Sequence, residues 1–228
     1  MANDYFRFKQ FTIWQSQCAM KVGTDGTLLG AWAHGGKTIL DVGTGTGLIA
    51  LMMAQRFPMA QVTGIDIDEM ACRQASENVD ASSFRVSIMH RDFLEVDGCY
   101  QSIVSNPPYF ESSLECPDDK RTLARHAASL SYHHLMQHAW NLLADDGELS
   151  IIIPTESKSR IEEEAALTGF FKSRECSVKT TPTKQPKRYL MAFRKHRVDE
   201  VERTEGVIED APKRRSAWYQ ALTQDFYL

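Results

Sequence analysis

The segment Ile39-Leu40-Asp41-Val42-Gly43-Thr44-Gly45-Thr46-Gly47-Leu48 constrains the fold of this chain more than any other feature. An apolar strand pattern runs into three glycines at alternate positions and then into a pattern of helical period. Glycines in such a turn let backbone come close to a ligand at the carboxyl edge of an open α/β sheet, where those sheets bind their ligands. The dinucleotide fingerprint does not fit, because its third glycine would fall on Leu48 or Ala50; the pattern is D-x-G-x-G-x-G.

From Thr38 onward, short apolar runs alternate with helical segments, which is the pattern of a parallel sheet covered by helices. Strands are predicted at Thr38–Val42, Gln61–Ile65, Arg85–Met89, Gln101–Val104 and Glu148–Ile153. Helices are predicted at Gly47–Arg56, Asp68–Asp80, Ser131–Leu143 and Thr155–Leu167, the last three opening on a capping side chain. Two β-rich runs follow Phe170, at Cys176–Thr180 and Arg188–Arg194, and read as a hairpin completing the sheet. The charged tail from Asp199 to Pro212 reads as solvated, while Trp218, Tyr219, Leu222 and Phe226 recur at helical spacing and suit a packed last helix.

With 228 residues and 43% hydrophobic content the chain can bury one substantial core, so a single domain over 1–228 is expected. Its parts are an N-terminal segment (1–37), a core (38–197) and a charged tail (198–228). The five cysteines are scattered, with no C-x-x-C spacing, which points to a reducing compartment and to no metal site. The first residues lack an apolar signal core and no long apolar run follows, so a cytoplasmic protein without membrane attachment is expected, and no obligatory protein partner is evident.

Asp66 ends the second strand, at a separation from the glycine turn suited to accepting both ribose hydroxyls of a nucleoside; Asp68 is placed to cap the next helix, which leaves Asp66 free for that role. Asp92, after the third strand, reads equally as a loop cap or as a ligand contact. The glycine motif from Asp41 to Gly47 resembles that of the class I S-adenosylmethionine-dependent methyltransferases. That resemblance implies a Rossmann-like fold with a mostly parallel seven-stranded sheet and a C-terminal β-hairpin. It also implies that Asp41, Gly43, Gly45 and Gly47 hold the methionine part of the cofactor, Asp66 the ribose and Asp92 the adenine.

Asn106-Pro107-Pro108-Tyr109 follows the fourth strand and therefore sits beside the glycine turn. An exocyclic amine on a purine is a poor nucleophile because its lone pair is delocalised into the ring. Acceptors aimed at its two N–H groups localise that pair, and the Asn106 amide oxygen and the Pro107 carbonyl can supply them, with the prolines fixing the backbone. Tyr109 and Phe110 offer rings to stack on a base, next to Pro108. Taken alone, the tetrapeptide is a turn with a packed aromatic; placed here, it resembles the signature of methyltransferases acting on adenine N6, cytosine N4 or glutamine.

Between Lys172 and Arg197 lie nine Lys or Arg residues and one acid, Glu175. This block, with Lys184, Lys187 and Arg188 at its centre, reads as a footprint for a phosphate backbone or as the solvated face of a hairpin. Cys18 to Trp32, with Phe8-Lys9-Gln10-Phe11, Ala124-Arg125-His126 and Phe226-Tyr227-Leu228, resembles the bacterial valine-tRNA adenine-N6 methyltransferase family over nearly the whole chain. The resemblance implies tRNA as partner, adenine 37 as target and S-adenosylmethionine as donor, with Lys21, Gly23 and Thr24 over the cofactor, Asn106 bordering it, and Arg125 and His126 near the substrate. The residues themselves say only that Gly23-Thr24-Asp25-Gly26 is a turn or helix start, and they leave ribosomal RNA, DNA and a protein glutamine open as acceptors.

Overall fold

The computed structural model describes residues 4–16, 21–107 and 130–227. An eight-stranded sheet is built from β3 (Thr38–Val42), β4 (Gln61–Asp66), β5 (Val86–His90), β6 (Tyr100–Ser105), β7 (Leu143–Pro154), β8 (Phe171–Lys179), β9 (Arg188–Arg194) and β10 (Glu202–Val207). Their spatial order is β10-β8-β9-β7-β6-β3-β4-β5, and only β9 runs against its neighbours. A short hairpin, β1 (Tyr5–Arg7) with β2 (Thr12–Trp14), precedes the sheet, and a second one, β11 (Glu209–Ala211) with β12 (Arg214–Arg215), follows it.

The helices are α1 (Thr24–Trp32), α2 (Leu48–Arg56), α3 (Glu69–Asp80), α4 (Tyr132–Leu142), α5 (Lys158–Thr168) and α6 (Ala217–Thr223). Asp68 and Ser131 cap α3 and α4 through Met70 N and His134 N, as their sequence positions predict. Thr155 instead opens a 3₁₀ turn, and α5 starts three residues later. His133, His134 and His138 lie on α4. No helix among the described residues is long and apolar enough to cross a membrane.

Both faces of the central strands β3, β6 and β7 are buried, which is why these strands read as continuous apolar runs. Leu40, Ile103, Ile151 and Ile153 point into one core with Leu135, Met136 and Ala139 of α4. Their neighbours Ile39, Val104 and Ile152 point into the other, with Leu28 and Leu29 of α1 and Ile49 and Met53 of α2. The predicted last helix is α6; Tyr219 within it and Phe226 just beyond its end are buried.

Two expectations are corrected. The sheet has eight strands, not seven, because Glu202–Val207 pairs parallel to β8 within the tail expected to be solvated. Its first four residues are exposed, so the strand is held through backbone pairing and leaves no apolar signal; a charged edge of this kind also discourages further strand addition.

Candidate active site

Strand order reverses at β3, which lies between β4 and β6, so the carboxyl ends of these three strands frame a crevice. Register aligns the ends: Val42 pairs with Ile65 on one side and with Ser105 on the other. Gly43, Asp66 and Asn106 each follow one of those residues and therefore stand side by side, with strand spacings of ~4.8 Å between them. The Ser105 hydroxyl donates to the Val42 carbonyl (2.9 Å), pinning β6 to β3 one residue before Asn106.

The glycine turn folds back over β4. Gly43 N and Thr44 N both donate to the Ile65 carbonyl, at 3.0 and 2.8 Å, and Gly45 N donates to Asp66 Oδ2 (2.9 Å). Gly43 and Gly45 have φ of +72° and +55°, a region that penalises any side chain, and a Cβ on either would meet nothing within 4 Å. The absence of side chains there leaves a backbone cradle open in front of the turn. Gly47 ends the turn immediately before α2.

Asp41 is fully buried below the turn, where its Oδ2 accepts from the Thr44 hydroxyl (2.7 Å) and from Ala50 N (3.1 Å). Burial pushes its carboxyl up to about 7, against the lowering effect of those two hydrogen bonds, and its Oδ1 is buried with no partner among the described residues. Its contacts shape the turn and the start of α2. Asp66 also has structural work, since Oδ1 accepts from Asp68 N (3.0 Å) while Oδ2 holds Gly45 N. Asp92 caps a 3₁₀ turn through Leu94 N (2.9 Å), so the capping alternative for it is realised in the fold.

Asn106 has a buried Oδ1 without a hydrogen-bond partner among the described residues. A strong acceptor left unsatisfied at a ligand-binding edge is costly unless a ligand completes it. Pro107 follows directly. Pro108, Tyr109, Phe110, Arg125 and His126, all expected near the substrate, lie outside the described residues.

Lys21 and Gly23 are exposed and Thr24 half-buried at the start of α1. Gly26 of α1 packs on Leu48 and Ile49, the first residues of α2, so this start lies beside the glycine turn. The first turn of α1 is also tied to β9, Arg188 Nε donating to Asp25 Oδ2 at 2.7 Å. Arg188, expected on the RNA side, is thus engaged in an ion pair with the segment expected to cover the cofactor.

The register of β8 and β9 divides the basic block between the two ends of the sheet. Lys184 and Lys187 are exposed in the turn joining these strands, on the same edge as Asn106. At the other end the cations are largely consumed: Lys172 pairs with Glu162 and Glu175, while Arg174 and Arg194 both reach Glu148, at 2.6 and 3.1 Å. Glu148 is 3% exposed, also faces His34 Nδ1 at 3.4 Å, and sits next to a cavity of about 450 Å³ lined by His34, Arg56, Gln101 and Arg194. Burial alone would raise its carboxyl, but hydrogen bonds from His34 and Arg174, with their charges, pull it down to about 2. This cavity lies towards the amino ends of the strands, away from the glycine turn.

Three features near the site were not singled out from the sequence. Ile67, 53% exposed, follows Asp66 and offers an apolar wall at the same edge. Asn78 is a buried amide that binds the Thr46 carbonyl in the turn, and Gln15 is one that accepts from Val22 N just ahead of α1. Asn78 lies on the buried face of α3 with Ala71, Gln74, Ala75 and Val79, and amides in that otherwise apolar series were the available signal.

The profile of the methyltransferase small domain family matches residues 23–182. A tRNA1(Val) (adenine(37)-N6)-methyltransferase of Bacteroides thetaiotaomicron is 45% identical over all of this chain and 99% of its own length. A protein of the same name from Trichodesmium erythraeum is 43% identical, covering 100% of this chain and 99% of its own. Among solved structures, a predicted O-methyltransferase from Agrobacterium tumefaciens superposes with a TM-score of 0.70 at 16% identity, covering 89% of this chain and 96% of that one, a likeness of fold. Identity at this level, sustained from one end of both sequences to the other, means that the chain belongs to the tRNA1(Val) (adenine(37)-N6)-methyltransferase family.

Proposed function

We propose that this chain transfers the methyl group of S-adenosylmethionine to the N6 amine of an adenine in tRNA, at position 37 of a valine tRNA, with Asn106 and Pro107 receiving the amine. The observation that carries this assignment is the buried Asn106 Oδ1, without a partner among the described residues, one residue beyond the row that also delivers Gly43 and Asp66. The names of the full-length relatives support the acceptor.

The residues at this edge fit the cofactor. The cradle in front of Gly43 and Gly45 has room where side chains would otherwise stand, and a carboxylate, Asp66, lies alongside for hydroxyls. Ile67 supplies apolar surface for a purine, Asp92 retains an oxygen beyond its cap, and Lys21, Gly23 and Thr24 border the turn from α1. When bound, S-adenosylmethionine supplies a methyl group on a sulfonium, for which a neutral thioether is the leaving group.

The chain's own part is to prepare the nucleophile. Asn106 Oδ1 accepts one N–H of the amine and the Pro107 carbonyl the other, drawing the nitrogen lone pair out of the ring and towards the methyl carbon. Positive charge would grow on that nitrogen as it took up a methyl group, and Asn106 Oδ1 and the Pro107 carbonyl would bind that charge more strongly than they bind the neutral amine. The surplus proton then leaves to water or along Asn106. No strong base is required, because the proton becomes acidic only after nitrogen is alkylated. Lys184 and Lys187 lie on the edge where an RNA backbone would pass. A tRNA substrate puts the enzyme in the cytoplasm.

The test is incubation of the purified protein with S-adenosylmethionine and unmodified tRNA, followed by digestion to nucleosides and mass spectrometry. N6-methyladenosine is expected, with Asn106→Ala lowering turnover by about a hundredfold while cofactor affinity stays within a few fold. Cofactor binding without methylated tRNA would overturn the acceptor and send the search to ribosomal RNA, DNA and protein glutamine. Equal loss of cofactor affinity in Asn106→Ala would overturn the role of Asn106.

A further inference from the structure

We infer that Asn78 and Gln15 are positioning residues that hold the floor and the cover of the cofactor site at a fixed separation. This inference rests on the placement of S-adenosylmethionine at the glycine turn. Asn78 is 0% exposed, and its side-chain hydrogen bonds go to two residues distant in sequence. Its Nδ2 donates to the Thr46 carbonyl, within the glycine turn, and to the Trp14 carbonyl, both at 2.9 Å; its Oδ1 accepts from Trp14 N at 2.8 Å. The side-chain amide thus pairs with both backbone groups of Trp14 as a neighbouring strand would, and fastens β2 to the turn.

Gln15 continues the path. It is 6% exposed, its backbone N–H donates to the Asp4 carbonyl (2.9 Å), and its Oε1 accepts from Val22 N at 2.7 Å. Val22 leads to Gly23, whose carbonyl accepts from Thr27 N (3.4 Å) and the Thr27 hydroxyl (3.2 Å) as α1 begins. Hydrogen bonds and two peptide links therefore join Thr46 on the floor to Gly23 on the cover through Asn78, Trp14, Gln15 and Val22. These groups are buried or part-buried, so each bond broken leaves a polar backbone group that water reaches poorly. Neither amide needs to touch the cofactor. Their work is to keep Lys21, Gly23 and Thr24 over the turn before it binds, so that less ordering remains to be done on binding.

The expected signature is a loss of cofactor affinity without loss of chemistry. Gln15→Met keeps the length and volume of the side chain and removes the acceptor for Val22 N. Calorimetry should show S-adenosylmethionine binding weakened about tenfold or more, while kcat at saturating cofactor stays within about twofold and KM for the cofactor rises in step. An unchanged dissociation constant would overturn the inference, as would a fall in kcat with KM unchanged. Hydrogen exchange on the wild-type protein supplies a second readout that no folding defect can obscure: S-adenosylmethionine should slow exchange of the Val22 and Trp14 amides. Unaltered exchange at both would also overturn it. Failure of the underlying cofactor placement looks different, since Gly45→Val would then bind S-adenosylmethionine as well as the wild type does.

Discussion

Replacing Glu148 by Gln tests the electrostatic knot at the amino end of the sheet. The carboxylate is 3% exposed and accepts from Arg174 at 2.6 Å and from Arg194 at 3.1 Å, with His34 at 3.4 Å. An acid whose midpoint falls from 4.5 to about 2 on folding contributes ~3 kcal/mol to stability at neutral pH. Arg174 itself is 8% exposed and stacked 3.9 Å over the Trp32 ring, so the variant leaves a buried cation without its carboxylate. Removing one partner of such a pair costs about 3–5 kcal/mol, the same order as the linkage contribution. For a chain of this size each kcal/mol moves the melting temperature by roughly 2–4 °C, so a fall of about 10 °C is expected at pH 7.

The pH dependence has a definite sign. A carboxylate with a depressed folded midpoint stabilises fully above about 4.5, and that contribution disappears as pH falls through about 2. Thermal unfolding followed by circular dichroism from pH 7 to 2.5 should therefore show the two proteins converging in acid, with a shallower acid limb in Glu148→Gln. A melting temperature within about 2 °C of the wild type at pH 7, or an unaltered acid limb, would refute the reasoning.

Two further outcomes are expected. Gly45→Val places a branched side chain in the open cradle at a positive φ, and should abolish detectable S-adenosylmethionine binding in calorimetry while the sheet signal in far-ultraviolet dichroism persists. Lys184→Glu combined with Lys187→Glu should weaken tRNA binding and reduce the slope of log affinity against log salt, whereas Lys172→Glu, on the far end of β8, should leave that slope within error.

The central βα alternation was legible in the sequence because strands buried on both faces carry continuous apolar runs and because Asp68 and Ser131 mark helix starts chemically. The row of Gly43, Asp66 and Asn106 was legible for a related reason: each ends a readable strand. Strand β10 was not, since its residues Glu202 to Glu205 are exposed and it joins the sheet by backbone pairing rather than by an apolar face. The pairing within the basic block was hidden for a different reason. Its neutralising acids, Glu148, Asp25, Glu162 and Glu205, come from elements distant in sequence, so local charge counting registers the cations and misses their partners. Asn78 and Gln15 were invisible as a pair because only the folded chain brings their amides to the same strand.

The Tyr227 hydroxyl donates to Thr27 Oγ1 (3.3 Å) across 200 residues of sequence, and Lys9 Nζ reaches the Gln224 carbonyl across 215. Phe226 is packed with Phe8, Phe11 and Ile13 in the same cluster. Contacts of this span close the largest loops in the chain, and such closures come late in folding because their entropy must be met before they stabilise anything. The helix α1 that borders the glycine turn is thus seated by residues made some two hundred positions after it. During synthesis most of the sheet can form first, and α1 is fully seated only once the last helix has been made.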